Sequence, residues 1–264
     1  MSTKHRLILG DALKVLKTIP DNSVDLIFAD PPYNMSKKQG LGWEYSKHVT
    51  MQEEWDIFSK EDFLKFNKEW ISECTRVLKH GGSLWISGSF HNIYQIGFIL
   101  QQEHPEIKIN NSIVWFKPNA QPNITCRFFT ESTEHLIWAT KNGKKWKFDY
   151  NWTKEHIEDQ LNPKGKQTRN VWSIPLTPRS EKWAGEHPNQ KPFQLLKRII
   201  LSCSEEGDLV LDPFVGSGTT SVTSRYYNRN SIGIEINEKY FEIIKNRLSK
   251  ENDKAEITFE NYSG

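Results

Sequence analysis

Short apolar runs alternate with amphipathic helical patterns along most of the chain, and this alternation constrains the fold more than any other feature. The run Val24–Ala29 is nearly all apolar, as expected of a strand in a parallel sheet covered on both faces. A long helical pattern at Asp62–Lys79 follows, and Gly81 and Gly82 are expected to end it before a strand at Ser83–Ser87. The alternation predicts an α/β protein with a doubly wound sheet.

The same patterns predict further elements on both sides of this unit. Strands are predicted at Arg6–Leu9, Ser112–Phe116, Glu134–Thr140, Leu209–Leu211 and Ser231–Ile234. The second and third of these are expected to pair. Helices are predicted at Ala12–Thr18, Phe193–Cys203, Thr219–Tyr227 and Glu238–Lys250. Between residues 141 and 188 tryptophans are scattered among Lys, Asn and Pro, which predicts a small irregular lobe.

The loop Asp30-Pro31-Pro32-Tyr33 directly follows the strand Val24–Ala29. Open α/β sheets bind ligands at the carboxyl ends of their strands. Two consecutive prolines hold the segment extended, so that a carbonyl can point into a cleft. A carboxylate and a carbonyl together accept the two N–H bonds of an exocyclic amine, and an aromatic ring stacks on its planar group. The loop therefore predicts a site for such a group, the alternative being a turn that ends the strand.

A second loop, DPFVGSGTT at residues 212–220, also follows a short apolar strand and opens a helix. Glycines allow a close approach of the backbone to a ligand, and Gly-rich turns into helices usually indicate nucleotide phosphates. The loop lacks the lysine of a phosphate loop, so NTP hydrolysis is not expected. Glu235 follows at the end of the next strand, where an acid binds ribose hydroxyls. Taken alone, the loop leaves a dinucleotide oxidoreductase open.

Together the two loops resemble motifs IV and I of the amino-group DNA methyltransferases. Their order, with the DPPY loop first, is similar to that of the β group, in which the methyltransferase sheet is circularly permuted. The resemblance implies a Rossmann-like methyltransferase sheet with a catalytic half at residues 1–117 and a cofactor half at residues 187–264. A target-recognition lobe with one or two core-associated strands is expected at residues 118–186.

Three further segments fit the same resemblance. HPNQKP at residues 187–192 resembles motif X, which lines the methionine end of S-adenosylmethionine, with Asn189 in place of the usual threonine. The segment 10–12 resembles motif III, whose acid meets the cofactor adenine, and 111–117 resembles motif VIII. The resemblance implies no metal, and catalytic roles for Asp30, Pro31, Pro32 and Tyr33. The cofactor contacts that it implies are Asp11, Ala12, Asp30, His187, Asn189, Lys191, Pro192, Asp212, Pro213, Phe214, Gly216, Ser217, Gly218, Thr219, Thr220 and Glu235.

Stretches at 85–94, 122–139 and 181–192 resemble a narrower family, the second, single-strand-tolerant adenine methyltransferases of DpnII-type GATC systems. The MboII-type enzymes are more distant relatives. This resemblance implies a restriction-modification enzyme that transfers the methyl group of S-adenosylmethionine to the N6 amine of a flipped adenine, at GATC. Asp rather than Ser at position 30 favours adenine. The alternatives are an N4-cytosine methyltransferase and a DNA-binding relative that has lost catalysis.

The net charge of +2 is unevenly distributed. Residues 117–198 hold 15 Lys and Arg against 8 Asp and Glu, a local charge of +7, and the remainder carries −5. Such a basic segment is either a solvated surface or a contact region for a polyanion. The resemblance favours DNA, double-stranded and also single-stranded. The candidate DNA contacts are Trp43, Arg127, Lys144, Lys145, Lys147, Arg169, Arg179 and Lys182.

Composition narrows the class of protein further. The mean hydropathy is −0.66, and the absence of an apolar run near ~18 residues argues against a transmembrane helix. The start of the sequence lacks the apolar region of a signal peptide, so we expect a cytoplasmic protein without a membrane partner. Cys74, Cys126 and Cys203 form no CxxC pair, which argues against disulfides and structural zinc. Related methyltransferases often pair, and by analogy a homodimer is expected.

Overall fold

A computed structural model describes residues 2–34, 56–123, 126–249 and 255–262, and its centre is a nine-stranded sheet. The strands are β1 (Lys4–Leu9), β2 (Val24–Ala29), β3 (Leu78–Gly88), β4 (Ile107–Phe116), β5 (Thr133–Lys141), β6 (Val171–Ser173), β7 (Leu209–Asp212), β8 (Asn230–Glu235) and β9 (Glu256–Asn261). The α-helices are α1 (Ala12–Leu16), α2 (Lys60–Val77), α3 (Ile93–Glu103), α4 (Tyr150–His156), α5 (Phe193–Cys203), α6 (Thr219–Tyr226) and α7 (Glu238–Ser249). The predicted α/β class is confirmed.

The strand order is β6-β4-β5-β3-β2-β7-β8-β1-β9, and every strand except β5 runs in the same direction. β2 and β7 are parallel neighbours at the centre of the sheet. They are far apart in sequence, because 179 residues lie between Ala29 at the end of β2 and Leu209 at the start of β7. The loops that follow them therefore leave the same edge of the sheet side by side. We call this edge, formed by the carboxyl ends of the parallel strands, the carboxyl edge. The predicted pairing of 112–116 with 134–140 is confirmed, because β4 and β5 are antiparallel.

The predicted break at Gly81 and Gly82 is wrong, because both glycines lie within β3. This strand begins at Leu78, directly after α2, and its register against β2 shifts between Val24 and Leu26. Gly81 has φ +81°, a left-handed backbone conformation that glycine adopts without steric cost. The two glycines therefore mark an irregularity within a strand, as glycines in strands often do.

Four elements were not predicted from the sequence: α3, α4, β6 and β9. α3 has an apolar face formed by Ile93, Ile96, Ile99 and Leu100 that was overlooked, whereas the other three have weak patterns. β6 has only three residues, and β9 lies at the edge of the sheet with a mostly exposed surface. α4 lies in the stretch that the sequence indicates to be irregular. Edge strands and short helices lack the continuous apolar surface from which buried elements are recognised.

The segment 118–186 shares the core of the sheet instead of standing apart. Trp138 of β5 and Trp172 of β6 pack with Trp85 of β3 and with α5 in one apolar cluster. A buried ion pair joins the irregular part of this segment to α5, since Arg198 of α5 donates to Asp159 at 2.7 Å.

No helix in the described part of the chain has the length and apolarity needed to cross a bilayer.

Candidate active site

The two loops singled out in the sequence line a single cavity of about 420 Å³ at the carboxyl edge. The loops after β1, β2, β7 and β8 contribute to its wall, together with the 187–191 segment and residues 56–58. The four predicted catalytic residues line it, and so do all predicted cofactor residues except Pro192 and Gly218. Pro192 is the N-cap of α5, and Gly218 is the N-cap of α6, where it lies against Ile244. These two residues support the wall from behind.

Hydrogen bonds to the carboxylate of Asp212 hold the shape of the Gly-rich loop. Asp212 accepts from the Phe214 N–H at 3.0 Å and from the Thr220 hydroxyl at 2.5 Å. Gly216 has φ +54°, and a Cβ atom there would lie 3.1 Å from His187 Nε2. The position therefore needs glycine for its backbone conformation and for the space beside it.

Glu235, at the end of β8, closes the other side of this loop. Its two carboxylate oxygens accept from the backbone N–H groups of Gly216 at 2.9 Å and Asn237 at 2.8 Å. Burial raises the pKa values of Asp212 and Glu235 to about 7. A carboxylate at this strand end, beside exposed glycine backbone, fits a nucleoside ribose.

His187 forms part of the cavity wall as a neutral ring. It packs edge-on against Tyr240, with ring centroids 4.2 Å apart, and its Nδ1 accepts from the Asn189 N–H at 3.2 Å. Burial, and then the positive charge of Lys191, lower the pKa of His187 to about 3. The imidazole is therefore uncharged at neutral pH, and it contributes to the cavity wall by packing beside Gly216.

Asp30 is the most constrained group of the DPPY loop. Its Oδ1 accepts from the Tyr33 hydroxyl at 2.6 Å, and its Oδ2 accepts from Lys191 Nζ at 2.6 Å and from Asn189 Nδ2 at 3.3 Å. Burial raises the pKa of Asp30, although Lys191 opposes this shift. The carboxylate thus lies ready as a hydrogen-bond acceptor that also holds a proton more readily than an exposed aspartate.

The structure adds two charged residues, Glu134 and Lys117, that the sequence patterns did not indicate as site residues. Glu134, near the start of β5, lies 3.2 Å from Lys191 and 3.2 Å from Lys117, and the Tyr33 hydroxyl is 3.4 Å from it. Burial raises the pKa of Glu134, but the two lysines outweigh this effect and hold the pKa below its usual value. The available signal was an acid at the start of an otherwise apolar strand, TEHLIWA.

Three of the predicted DNA contacts lie in loops at the carboxyl edge. Arg127 lies in the connection from β4 to β5, next to Phe128 and Phe129, whose exposed fractions are 76% and 100%. Arg179 opens a short 3-10 turn that precedes Lys182. This turn is tied to the cavity wall, because Gln190 Nε2 donates to the Glu181 carbonyl at 2.9 Å.

Three other predicted contacts, Lys144, Lys145 and Lys147, lie away from the cavity. They follow β5, the antiparallel strand, so they lie at the edge of the sheet opposite the cavity. Lys147 is also paired with Asp208, at 2.7 Å, in the turn before β7. The chain reverses direction in β5, which the basic composition of the segment could not reveal.

The two remaining candidates lie elsewhere. Arg169 is exposed two residues before β6, the last strand on one side of the sheet. Trp43 lies outside the described residues.

A permuted α/β sheet that brings a Gly-rich loop, an acid at the end of β8 and a DPPY loop into one cavity is the arrangement expected of one class of protein, the S-adenosylmethionine-dependent methyltransferases of DNA. The chain belongs to the family of N6 and N4 DNA methylases, whose model, described as DNA methylase, matches residues 24–246. The predicted resemblance, enzyme class and cofactor are thereby confirmed.

Several known proteins are similar to this chain. It is 46% identical over 254 residues to the Type II methyltransferase M2.DpnII of Streptococcus pneumoniae, covering 95% of this chain and 92% of that protein. It is 42% identical to the Type II methyltransferase M2.MboI of Moraxella bovis, over 90% of this chain and 85% of that protein. The crystal structure of the M1.HpyAVI-SAM complex matches 92% of this chain and 98% of its own, with a TM-score of 0.67 and 26% identity.

Proposed function

We propose that this protein transfers a methyl group from S-adenosylmethionine to the N6 amine of an adenine that is rotated out of DNA. The observation that carries the proposal is the position of the Asp30 carboxylate in the same cavity as Gly216 and Glu235. We further propose that it acts within a restriction-modification system and at GATC, on the basis of its 46% identity to M2.DpnII, a Type II methyltransferase.

The residues of the DPPY loop activate the amine. Its lone pair is delocalised into the purine, so Asp30 and the Pro31 carbonyl accept its N–H bonds and favour the positive charge that develops on nitrogen. When bound, S-adenosylmethionine supplies an electrophilic methyl group. The raised pKa of Asp30 suits its Oδ1 to take the amine proton afterwards.

Tyr33 has two tasks in this mechanism. Its ring lines the cavity and stacks on the base, which compensates part of the few kcal/mol that rotation out of the duplex costs. Its hydroxyl donates to Asp30 Oδ1 at 2.6 Å in the structure, and the incoming amine replaces the hydroxyl as the donor to this oxygen.

The residue at position 30 favours adenine over cytosine as the proposed target base. The known N4-cytosine enzymes more often resemble SPPY in this loop, whereas this chain has DPPY. The fold itself does not discriminate, since the cytosine-N4-specific PvuII methyltransferase has the same fold, with a TM-score of 0.73 at 18% identity. N4-cytosine methylation is therefore the second candidate. A relative without catalysis is disfavoured because both loops and their hydrogen bonds are intact.

We assign DNA contact to the carboxyl edge, with Arg127, Arg179 and Lys182 as phosphate contacts. Such contacts position a duplex, and aromatic side chains stack on unpaired bases. The exposed rings of Phe128 and Phe129 beside Arg127 support this assignment, on double-stranded and on single-stranded DNA. The target-recognition role of residues 118–186 and the pairing of two chains remain predictions, the latter to be checked by light scattering.

Methylation of a random DNA pool, followed by modification-sensitive sequencing, tests the proposal. We expect methylated adenine within GATC, in duplexes and in single strands. Methylated cytosine would support the second candidate, and adenine methylation in another context would contradict the GATC assignment alone.

A further inference from the structure

Glu134 is a buried carboxylate with no task in the chemistry described above. Its side chain is 11% exposed, and its charge is compensated by Lys191 and Lys117, each at 3.2 Å. Removing a carboxylate from water costs several kcal/mol unless it is paired. Asp30, Lys191, Glu134 and Lys117 thus form a row of four alternating charges that ends at the acceptor of the target amine.

The row of charges limits how strongly Lys191 acts on Asp30. Lys191 is 2.6 Å from Asp30 Oδ2, and a cation at that distance opposes the positive charge that develops on the amine. Glu134 shares the ammonium group of Lys191, and Lys117 in turn balances Glu134. The four charges sum to zero, whereas Asp30 with both lysines alone would leave the neighbourhood of the amine positive.

We propose that Glu134 is a positioning residue for methyl transfer: it binds Lys191 from the far side and thereby preserves the strength of Asp30 as an acceptor and base. This inference rests on the proposed function and deepens it. Glu134 acts through Lys191. An exposed glutamate three residues earlier, Glu131, bonds only to Thr133 among the contacts described for it and provides a matched comparison.

The pH dependence of the reaction reports on this role. The charged or titratable groups around Asp30 are Tyr33 on its own loop, Lys191 and neutral His187 on the segment before α5, Glu134 on β5, and Asp212 on β7. Burial and the charge of Glu134 raise the pKa of Asp30, and Lys191 lowers it. Without the charge of Glu134, the pKa of Asp30 falls, so Asp30 becomes a weaker base that is ionised at lower pH.

The test is the pH profile of the single-turnover rate of methyl transfer to DNA by the full-length enzyme, for wild type, Glu134→Gln and Glu131→Gln. We expect Glu134→Gln to lower the plateau rate at least tenfold and to move the acid limb to lower pH. The dissociation constant of S-adenosylmethionine should stay within about twofold of wild type. Glu131→Gln should match wild type in every respect.

A double variant separates charge balance from structural support. Lys117→Met combined with Glu134→Gln restores neutrality, so its rate should recover toward wild type. A slow Glu134→Gln enzyme with an unmoved acid limb, or a double variant no faster than Glu134→Gln, would overturn the inference. So would an unchanged rate in Glu134→Gln. Wild-type transfer in the same assay reports on the proposed function independently.

Discussion

At the residue scale, the site depends on hydrogen bonds and ion pairs made by side chains that have at least two partners each. Asp30 accepts from Tyr33 and Lys191, and Lys191 also contacts Glu134. Such groups are costly to remove singly, because a buried partner then loses its hydrogen bond. Substitutions in this network are therefore expected to affect the chemistry more than their size suggests.

Tyr33→Phe tests the contribution of the hydroxyl separately from the ring. The sequence alone predicts a mild effect if stacking is the task of Tyr33. The structure adds a hydroxyl bond to Asp30 at 2.6 Å, worth about 0.5–1.5 kcal/mol, which the incoming amine displaces, so we expect kcat to stay within about tenfold of wild type. Tyr33→Ala should lose considerably more. Steady-state kinetics with DNA would check this, and equal losses in both variants would contradict a stacking role.

Gly216→Ala tests the assignment of the Gly-rich loop to the cofactor. The new Cβ atom would lie 3.1 Å from His187 Nε2, so the ring must shift by a few tenths of an ångström, and the positive φ of +54° adds backbone strain; S-adenosylmethionine should bind at least tenfold more weakly. Gly207→Ala is the matched control, because Gly207 also has a positive φ, +83°, but nothing lies within 4 Å of its Cβ position. Calorimetric titration measures both variants. Equal affinities in the two would argue against the assignment.

At the element scale, the direction of β5 decides which basic residues can serve the cavity. Its antiparallel course places Arg127 before the strand, at the carboxyl edge, and Lys144 and Lys145 after it, at the opposite edge. Arg127→Ala combined with Arg179→Ala should therefore weaken DNA binding and reduce the slope of log K against log salt by about 2.

Lys144→Ala combined with Lys145→Ala is the control for this prediction, since it removes the same charge from the other edge. Its binding constant and salt slope should equal those of wild type. Fluorescence anisotropy with a labelled duplex at several salt concentrations measures both pairs. A larger effect of the lysine pair would show that the duplex binds at the opposite edge.

The buried ion pair between Asp159 and Arg198 stabilises the irregular segment between α4 and β6. Both side chains are at most 4% exposed, and Asp159 also accepts from the N–H groups of Leu161 and Asn162. Asp159→Ala leaves Arg198 unpaired and should lower the free energy of unfolding by about 3–5 kcal/mol in urea titrations. Exposed Glu158→Ala should change it by less than about 0.5 kcal/mol.

The same pair gives a pH dependence with a defined sign. Burial raises the pKa of Asp159, but hydrogen bonds from Arg198 and the backbone outweigh this and hold it below the usual value. The stabilisation is therefore present above the unfolded pKa of about 3.9 and lost as the pH falls below it. Unfolding of Asp159→Ala should accordingly approach that of wild type in acid.

At the scale of the whole molecule, several of the basic residues in the segment 117–198 are held by acids or by backbone carbonyls. Lys117 and Lys191 neutralise Glu134 and Asp30, Lys147 pairs with Asp208, and Arg198 pairs with Asp159. Lys141 donates to the carbonyls of Thr75 and Leu78. Of the other basic residues in this segment, Arg127, Arg179 and Lys182 lie in loops at the carboxyl edge, whereas Lys144 and Lys145 lie at the opposite edge.

The predictable part of the molecule is the part encoded by local patterns. β2, α5 and the loops that follow β2 and β7 were predictable because apolar runs and turn residues are contiguous in sequence. Glu134 was not, because it reaches residues 30 and 191 only through the insertion of β5 beside β3. For the same reason charge composition alone could not assign the lysines after β5 to an edge of the sheet.

Nucleoside analysis distinguishes adenine methylation by the cavity at Asp30 from the other possible reactions. DNA is incubated with the enzyme and S-adenosylmethionine labelled in its methyl group, digested to nucleosides and separated. We expect label in N6-methyl-2′-deoxyadenosine with wild type, and none with Asp30→Ala, which should still bind S-adenosylmethionine. Label in N4-methylcytosine, no label with wild type, or undiminished transfer by Asp30→Ala would contradict it.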